Sequence, residues 1–259
     1  MSLDSKSKTK HRDSIAVLSD VHSNLEAFTA TLREIQKLGI SKIYSLGDGV
    51  GYGPDPVECT KLAEENITVR IMGNHEYAIR FPDTLRFNRD AQAAADWTRG
   101  VLEVAGVLDK ATELPMSYQE GDVLFVHGSV KGHIMDYVFS EDRDGYSTFD
   151  AIAQTLEESF VGFRLCFVGH NHTPFLATEE GFLHPHAEVD EFYVAGRKLY
   201  VCVGSVGQPR DGDNRASFVV YNGETVKYHR VPYDVATTAA KIRKNGLPER
   251  LADRLLVGR

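Results

Sequence analysis

The feature that most constrains this chain is the set of polar clusters that end its short apolar runs. SIAVLS leads into Asp20 and His22, KIYSLG into Asp48, and ITVRIMG into Asn74, His75 and Glu76; DVLFV leads into His127 and Gly128, and RLCFVG into His170 and His172. Runs this short between turn residues read as buried strands. In an α/β sheet the strand ends and their loops form the usual ligand crevice, so strands sharing one sheet edge would bring all five clusters together. Glycine precedes the polar residue at Gly47, Gly73 and Gly169, which permits tight turns and close backbone approach. His170 and His172 stand one residue apart, and in an extended strand alternate side chains share a face. One cluster alone would be an ordinary loop. Five in a chain with ten histidines point to a common site.

The sequence between the clusters predicts the arrangement of the strands. Residues 14–18 and 42–46 read as strands. Between them 24–38 carries Leu25, Phe28, Leu32, Ile35 and Leu38 at helical spacing, with Gly39 as its stop. Residues 56–65 read as a short helix with Pro56 at its start, and 67–72 as a third strand. This β-α-β-α-β order predicts parallel strands joined by right-handed crossovers. An Ala-rich helix over 90–105 holds the only tryptophan, Trp97. Strands are expected at 116–119 and 122–126, a helix at 148–160 and a strand at 164–168. From about 175 to 231 short strands dominate (FLAT, EFYVAG, KLYVCVG, ASFVVY, TVKYHRV), with Asn222-Gly223 marking a hairpin. Two charge-rich helices, 235–244 and 248–256, close the chain. No repeat or low-complexity linker interrupts it, so 14–259 reads as a single domain. The polar tail 1–13 is expected to be disordered.

The net charge of −8 argues against nonspecific binding to nucleic acid, which needs clustered Lys and Arg, but leaves room for a small local positive site. Cys59, Cys166 and Cys202 are odd in number and far apart, with no CxxC. That pattern reads as a reduced chain with a cytoplasmic location, and the last two, inside apolar runs, as core residues. The first residues lack the apolar segment of a secretory signal. No stretch approaches the roughly 18 apolar residues of a membrane span.

Asp20, His22, Asp48, Asn74, His127, His170 and His172 are candidate metal ligands. They are too many for a single four- or six-coordinate ion and suit two ions sharing a carboxylate. Mixed imidazole and oxygen donors favour Mn, Fe or Zn over Ca, which prefers oxygen alone. Two divalent ions would outweigh the two carboxylates by about two positive charges, which a hydroxide and a phosphate ester would neutralise.

In order and type, Asp20-Val21-His22, Gly47-Asp48, Gly73-Asn74-His75-Glu76, His127-Gly128 and Gly169-His170-Asn171-His172 resemble the five motifs of the calcineurin-like metallophosphoesterases. DGVGYGPDP (48–56) and GSVGQPRDGDNRASF (204–218) resemble the bacterial branch described as phosphodiesterase-like or related to diadenosine tetraphosphate hydrolases. The resemblance implies an α/β fold of four layers, αββα, in which a two-sheet sandwich is flanked by helices. It implies a dinuclear metal-dependent hydrolase of phosphodiesters, phosphomonoesters or dinucleoside polyphosphates, acting by attack of metal-bound hydroxide. The implied partner is a small phosphorylated substrate, nucleotides included. By motif, Asp20, His22 and His172 would hold the first metal, Asn74, His127 and His170 the second, and Asp48 would bridge them. His75 would be catalytic, near the leaving group, as acid or electrostatic stabiliser; otherwise it steers Asn74.

The departures from the family pattern are informative. Protein phosphatases of this superfamily continue the second motif as GDxxDRG, whereas Gly51 and Tyr52 here replace the Asp that orients the catalytic histidine and the Arg that grips phosphate. Both losses weigh against a phosphoprotein phosphatase. Glu76 is a candidate to orient His75 instead, on adjacency alone. Cys202-Val203 replaces the Asn-Pro expected before Gly204-Ser205. Arg210, in GQPR, is a candidate phosphate contact, because its fork matches phosphate geometry, unless it pairs with Asp211 or Asp213. Tyr52, Tyr137 and His133 are candidates to stack a base, or else packing residues; the segment after His127 and the helical region 87–97 could wall the pocket. A non-catalytic metal-binding scaffold on the same fold, as in a retromer subunit that resembles this family, lacks the catalytic histidine that is present here as His75. A nuclease would need a basic groove, which the charge argues against.

Overall fold

The computed structural model describes residues 14–82, 84–138 and 149–259; the tail expected at 1–13 lies outside the described residues. Three strands, β1 (Ile15–Leu18), β2 (Lys42–Ser45) and β3 (Val69–Arg70), alternate with helices α1 (Leu25–Lys37) and α2 (Pro56–Asn66). Both strand pairs are parallel, as the β-α-β-α-β pattern predicts. Helices α3 (Asn74–Arg80), α4 (Arg89–Val104) and α5 (Leu108–Thr112) come next, then β4 (Ser117–Glu120), β5 (Val123–Val126), α6 (Phe149–Glu158) and β6 (Leu165–Val168). The later strands are β7 (Phe175–Thr178), β8 (Gly181–Leu183), β9 (Glu191–Tyr193), β10 (Leu199–Cys202), β11 (Ala216–Tyr221) and β12 (Thr225–Val231). Helices α7 (Val235–Lys244) and α8 (Glu249–Val257) close the chain.

The strands form two six-stranded sheets, ordered β3-β2-β1-β11-β12-β9 and β4-β5-β6-β10-β7-β8. The five polar clusters therefore do not share one sheet edge, as the strand pattern alone suggests. Three follow strands of the first sheet and two follow β5 and β6 of the second. Each sheet joins parallel and antiparallel pairs: β11 runs antiparallel to β1, and β10 parallel to β6 but antiparallel to β7.

Side-chain alternation builds the layers. Ile15, Val17, Tyr44, Val219 and Tyr221 of the first sheet meet Val123, Phe125, Leu165, Phe167 and Val201 of the second in one core, where Phe125 and Phe167 stack at 5.3 Å. The alternate residues Ala16, Leu18, Ile43, Phe218 and Val220 pack outward against Phe28 and Ile35 of α1. Those of the second sheet, Leu124, Val126, Cys166, Val168, Tyr200 and Cys202, pack against Leu156 of α6 and Phe160. Both sheet faces are buried, which is why the strands read as continuous apolar runs. The result is the four-layer helix–sheet–sheet–helix sandwich. Cys59, Cys166 and Cys202 are buried free thiols.

Two expectations need correcting. The strand expected over 67–72 keeps only two residues in the sheet. The helix α3 begins at Asn74, inside the third cluster: Gly73 is its N-cap, and Glu76 closes the first turn by accepting the Gly73 N–H at 2.8 Å. Asn74 and His75 thus sit on the first turn of a helix rather than on a strand-end loop. Among the described residues, no helix is long and apolar enough to cross a membrane.

Candidate metal centre

The loops after β1, β2 and β6 are held in an unusual backbone state. Asp20, His22, Ser23, Asp48, Tyr52, His170 and His172 all have φ between 47° and 65°, and they are the only described non-glycine residues with positive φ. Left-handed backbone costs a side-chain-bearing residue on the order of 1 kcal/mol or more. It persists here because the loops brace one another. The N–H groups of Asp20, His22 and Ser23 donate to the carbonyls of Gly47, Asp48 and Gly49 at 2.9–3.0 Å, Gly169 N–H donates to His127, and Gly207 N–H to Asp20. A side chain at Gly73 would overlap Asp48, and one at Gly169 would overlap Ser19. His170 and His172 therefore converge through turned backbone, not through the alternation of an extended strand.

Three imidazoles are fixed by carbonyls that can only accept. His22 Nδ1–H donates to Val50 at 3.2 Å, His127 Nδ1–H to Leu46 at 2.9 Å and His172 Nδ1–H to Gln208 at 2.6 Å. With the proton on Nδ1, each ring turns its Nε2 toward the cluster, bare where the ring is neutral. His22 Nε2 and His172 Nε2 nevertheless lie 3.1 Å apart. Asp20 Oδ1 is 3.1 Å from the latter and 3.7 Å from the former, and it is buried with no hydrogen-bond partner. At the other end His127 Nε2 is 3.0 Å from Asn74 Oδ1, 3.2 Å from His170 Nδ1 and 3.3 Å from Asp48 Oδ2. The same Asp48 Oδ2 is 3.7 Å from His22 Nε2. All seven candidate ligands are at most 5% exposed.

Burial drives the His22, His170 and His172 rings down from their ordinary pKa, so they carry no second proton to relieve the crowding. Burial would also raise Asp20 and Asp48, but the imidazoles of His172 and His127 outweigh it and hold both carboxyls below the usual range. His127 shows what the pocket favours. Burial pulls it down, yet Asp48 pushes it up to about 9, so a proton takes the place where a cation fits. Imidazole nitrogens facing one another beside two carboxylates, in a buried pocket, are the donor set of a metal site. The donor groups Asp20–His22–His172 and Asp48–His127–His170 each lie within 4.8 Å, and His22–Asp48–His75 forms a third overlapping set.

His75 stands at the side of this cluster. Its ring packs against Tyr52 at 4.4 Å and against His22 and Phe87 at 4.8 Å; its N–H donates to Asp48 Oδ1 at 2.8 Å, and its Nδ1 has no partner. Among the described residues no side chain hydrogen-bonds the His75 Nδ1, and a Cβ at Gly51 would overlap the His75 ring. Glu76 does not orient His75 either. Its carboxylate accepts the N–H groups of Asp48 (2.8 Å), Gly49 (2.6 Å), Val50 (3.3 Å) and Gly73 (2.8 Å), so it clamps the β2 loop to the start of α3. Adjacency in sequence could not show this, since neighbouring residues on a helical turn point in different directions.

Arg210 and Tyr52 come together, with the guanidinium 5.9 Å from the tyrosine ring. Arg210 Nε and Nη2 both donate to Gln208 Oε1, at 3.2 and 2.7 Å. It pairs with neither neighbouring acid: Asp211 pairs with Arg230 and Asp213 with Arg215. Tyr137 stacks on His170, with ring centroids 3.7 Å apart. His133 contributes its carbonyl to the turn after β5 by accepting Gly128 N–H. Gln208 is not among the sequence candidates, although it fixes His172 through its carbonyl and Arg210 through its amide; its place in GQPR, two residues before Arg210, is the only signal.

A four-layer sandwich whose loops gather imidazole nitrogens around two buried carboxylates is the framework of a protein that could hold metal ions there. Residues 14–225 match the calcineurin-like phosphoesterase superfamily domain. An uncharacterized protein of Methanocaldococcus jannaschii is 38% identical over 253 residues, covering 95% of this chain and 98% of that protein. A metallophosphoesterase from Sphaerobacter thermophilus is similar in structure, with a TM-score of 0.81 at 35% identity over 96% of this chain and 100% of that one. A hypothetical protein from Pyrococcus horikoshii OT3 shares the fold, with a TM-score of 0.76 at 22% identity over 95% and 98% of the two chains. The chain belongs to the calcineurin-like phosphoesterase superfamily, and it is a metal-dependent phosphoester hydrolase.

Proposed function

We propose that the cluster holds two cations and hydrolyses esters of small phosphorylated molecules, nucleotides among them. Asp20, His22 and His172 hold one ion, Asn74, His127 and His170 the other, and Asp48 belongs to both. The observation that carries this reading is the pair of crowded ends, where imidazole nitrogens approach one another and a carboxylate or amide oxygen, with Asp48 Oδ2 between them. Mixed nitrogen and oxygen donors suit Mn, Fe or Zn. When bound, such ions supply Lewis acidity, acidifying water and neutralising phosphate oxygens.

The chain's own residues do the rest. Asp48 Oδ1 holds the His75 backbone while Oδ2 faces the donors. His75, wedged between Tyr52 and Phe87, offers a ring N–H to the leaving oxygen. Arg210 and Tyr52 line the half-buried approach and bind the phosphate ester. Gly51 and Tyr52, in place of an Asp and an Arg, favour a small substrate over a phosphoprotein.

Elemental analysis of the purified protein is expected to give two transition-metal ions per chain; one or none would overturn the dinuclear reading. Turnover is expected within a panel of a chromogenic diester, a chromogenic monoester, diadenosine tetraphosphate, cyclic nucleotides and a phosphopeptide, with the phosphopeptide poorest. Silence across the panel with every added divalent metal would favour a scaffold. Arg210→Ala is expected to lower kcat/KM about tenfold or more with metal content unchanged, as loss of a charge-assisted contact does. Unchanged kinetics would remove Arg210 from the site.

A further inference from the structure

The loop 204–210 is stitched to both loops that form the Asp20–His22–His172 end of the cluster. Ser205 Oγ donates to the Asp20 carbonyl at 2.9 Å and accepts the Gln208 N–H at 2.8 Å. Val206 N–H donates to the Ser19 carbonyl and Gly207 N–H to that of Asp20, while Asn24 Nδ2 donates to the Gly207 carbonyl at 2.8 Å. A Cβ at Gly207 would overlap the Val21 carbonyl, so only glycine lets the two backbones lie this close. On the other side Arg210 N–H donates to the His172 carbonyl at 3.1 Å, and the Gln208 carbonyl accepts His172 Nδ1–H. The backbone at Gln208 and Arg210 is thus fixed against two loops of candidate ligands.

The Gln208 side chain does something separate. It is 2% exposed and lines a small cavity with His22, Asn24, Tyr52, Thr238 and Leu255. Its Oε1 accepts both Nε–H and Nη2–H of Arg210, at 3.2 and 2.7 Å. A guanidinium held at two nitrogens loses the rotamer freedom that a long side chain otherwise keeps. The place where it is held is next to Tyr52, 5.9 Å from the ring, and that ring lies 4.7 Å from His22 and 4.4 Å from His75. The other guanidinium N–H groups of Arg210 have no hydrogen-bond partner among the described residues.

The neutrality of the partner matters. Arg215 and Arg230 are held by Asp213 and Asp211, and a carboxylate cancels the charge that it orients. An amide oxygen accepts the same two donors without cancelling anything. Arg210 is therefore fixed in place and left cationic beside the metal centre, as recognition of an anion requires.

We infer that Gln208 is a positioning residue: its amide oxygen holds the Arg210 guanidinium beside the metal centre, with the charge and the outer N–H groups kept for a phosphate oxygen. The inference rests on the phosphoesterase reading of the metal centre.

Titration calorimetry of the metal-loaded protein with methylphosphonate tests it. Gln208→Met keeps the length of the side chain and the carbonyl that holds His172, and removes the acceptor. It is expected to weaken methylphosphonate binding about tenfold, with metal content unchanged. In an Arg210→Ala background the same substitution is expected to change nothing further, because a residue that acts through Arg210 then has nothing to aim. Gln208→Glu keeps both hydrogen bonds and adds a charge. It is also expected to weaken binding, whereas a residue needed only to fill space or brace the loop would be replaced by it without loss. Undiminished affinity in Gln208→Met, an equal loss with and without Arg210, or a fall in metal content would each overturn the assignment. If Gln208→Met does not fold, parental affinity in Gln208→Glu overturns it. Turnover of the chromogenic diester by the parent reports the esterase reading separately. Its absence beside non-additive losses would discard that reading and leave Gln208 and Arg210 standing as an anion-binding pair.

Discussion

Asp48→Asn is expected to fold and to lose both ions. In the parent, Asp48 Oδ2 sits 3.7 Å from His22 Nε2 and 3.3 Å from His127 Nε2, while Oδ1 accepts the His75 N–H. The amide oxygen of Asn can keep the His75 bond, which places its NH₂ among the bare imidazole nitrogens. A donor then fills the space that a cation needs, and the shared negative charge is gone. Metal content should fall far below one ion per chain, and kcat/KM on a diester by at least about 10²–10³-fold, the scale for losing a preorganised electrostatic element. The ion-free variant should melt lower than the ion-free parent, because it also loses the pairing of Asp48 with His127. Loss of one ion with retention of the other would contradict the shared role of Asp48.

Glu76→Ala is expected to cost stability as well as activity. The carboxylate is buried and takes four backbone N–H groups, two on each oxygen. Burial, with the Asp48 charge beside it, pushes the carboxyl up to about 7, so the clamp is held against a desolvation cost. Alanine would leave four donors without an acceptor, three of them buried and that of Gly49 partly so. Each stranded buried donor costs about 1–3 kcal/mol, and partial relaxation of the loop leaves a loss of roughly 3–5 kcal/mol. Glu76→Gln should recover little, since its NH₂ would face two of the same N–H donors. Urea unfolding of the metal-free proteins measures the difference, and a loss under about 1 kcal/mol would show that the clamp carries no structural load.

The parts of this architecture legible in the sequence are those whose chemistry is local. Each ligand stands within four residues of a strand or its immediate continuation, so Asp20, Asp48, His127 and His170 announce themselves as breaks in apolar runs. Helix α1 shows its periodicity and its Asn24 cap, whose side chain accepts the Ala27 N–H. The illegible parts depend on partners far along the chain. That His127 and His170 belong to a second sheet is decided by β10 pairing with β6, across a gap no local pattern spans. The shortening of β3 is a result of helix α3 starting at Asn74, and the GNHE stretch is too short to show a helical period. The left-handed backbone at His170 and His172 overrides the alternation that their spacing suggests. Glu76 looks like an ordinary surface charge until the fold shows the four backbone N–H groups around it.

The two-sheet origin of the ligands has a mechanical consequence. At one end Asp20 and His22 follow a strand of the first sheet and His172 follows the second, a contact that closes 150 residues of chain. At the other, Asn74 joins His127 and His170 from the opposite sheet, closing 53 residues. Ions bound there are cross-links at the rim of the sandwich, and they withdraw chain entropy from the unfolded state much as disulfides do. A protein with three free cysteines and no disulfide among its described residues would thereby acquire reversible clasps. On the proposed reading, removing the metal would unfasten two sheets as well as silence a catalyst.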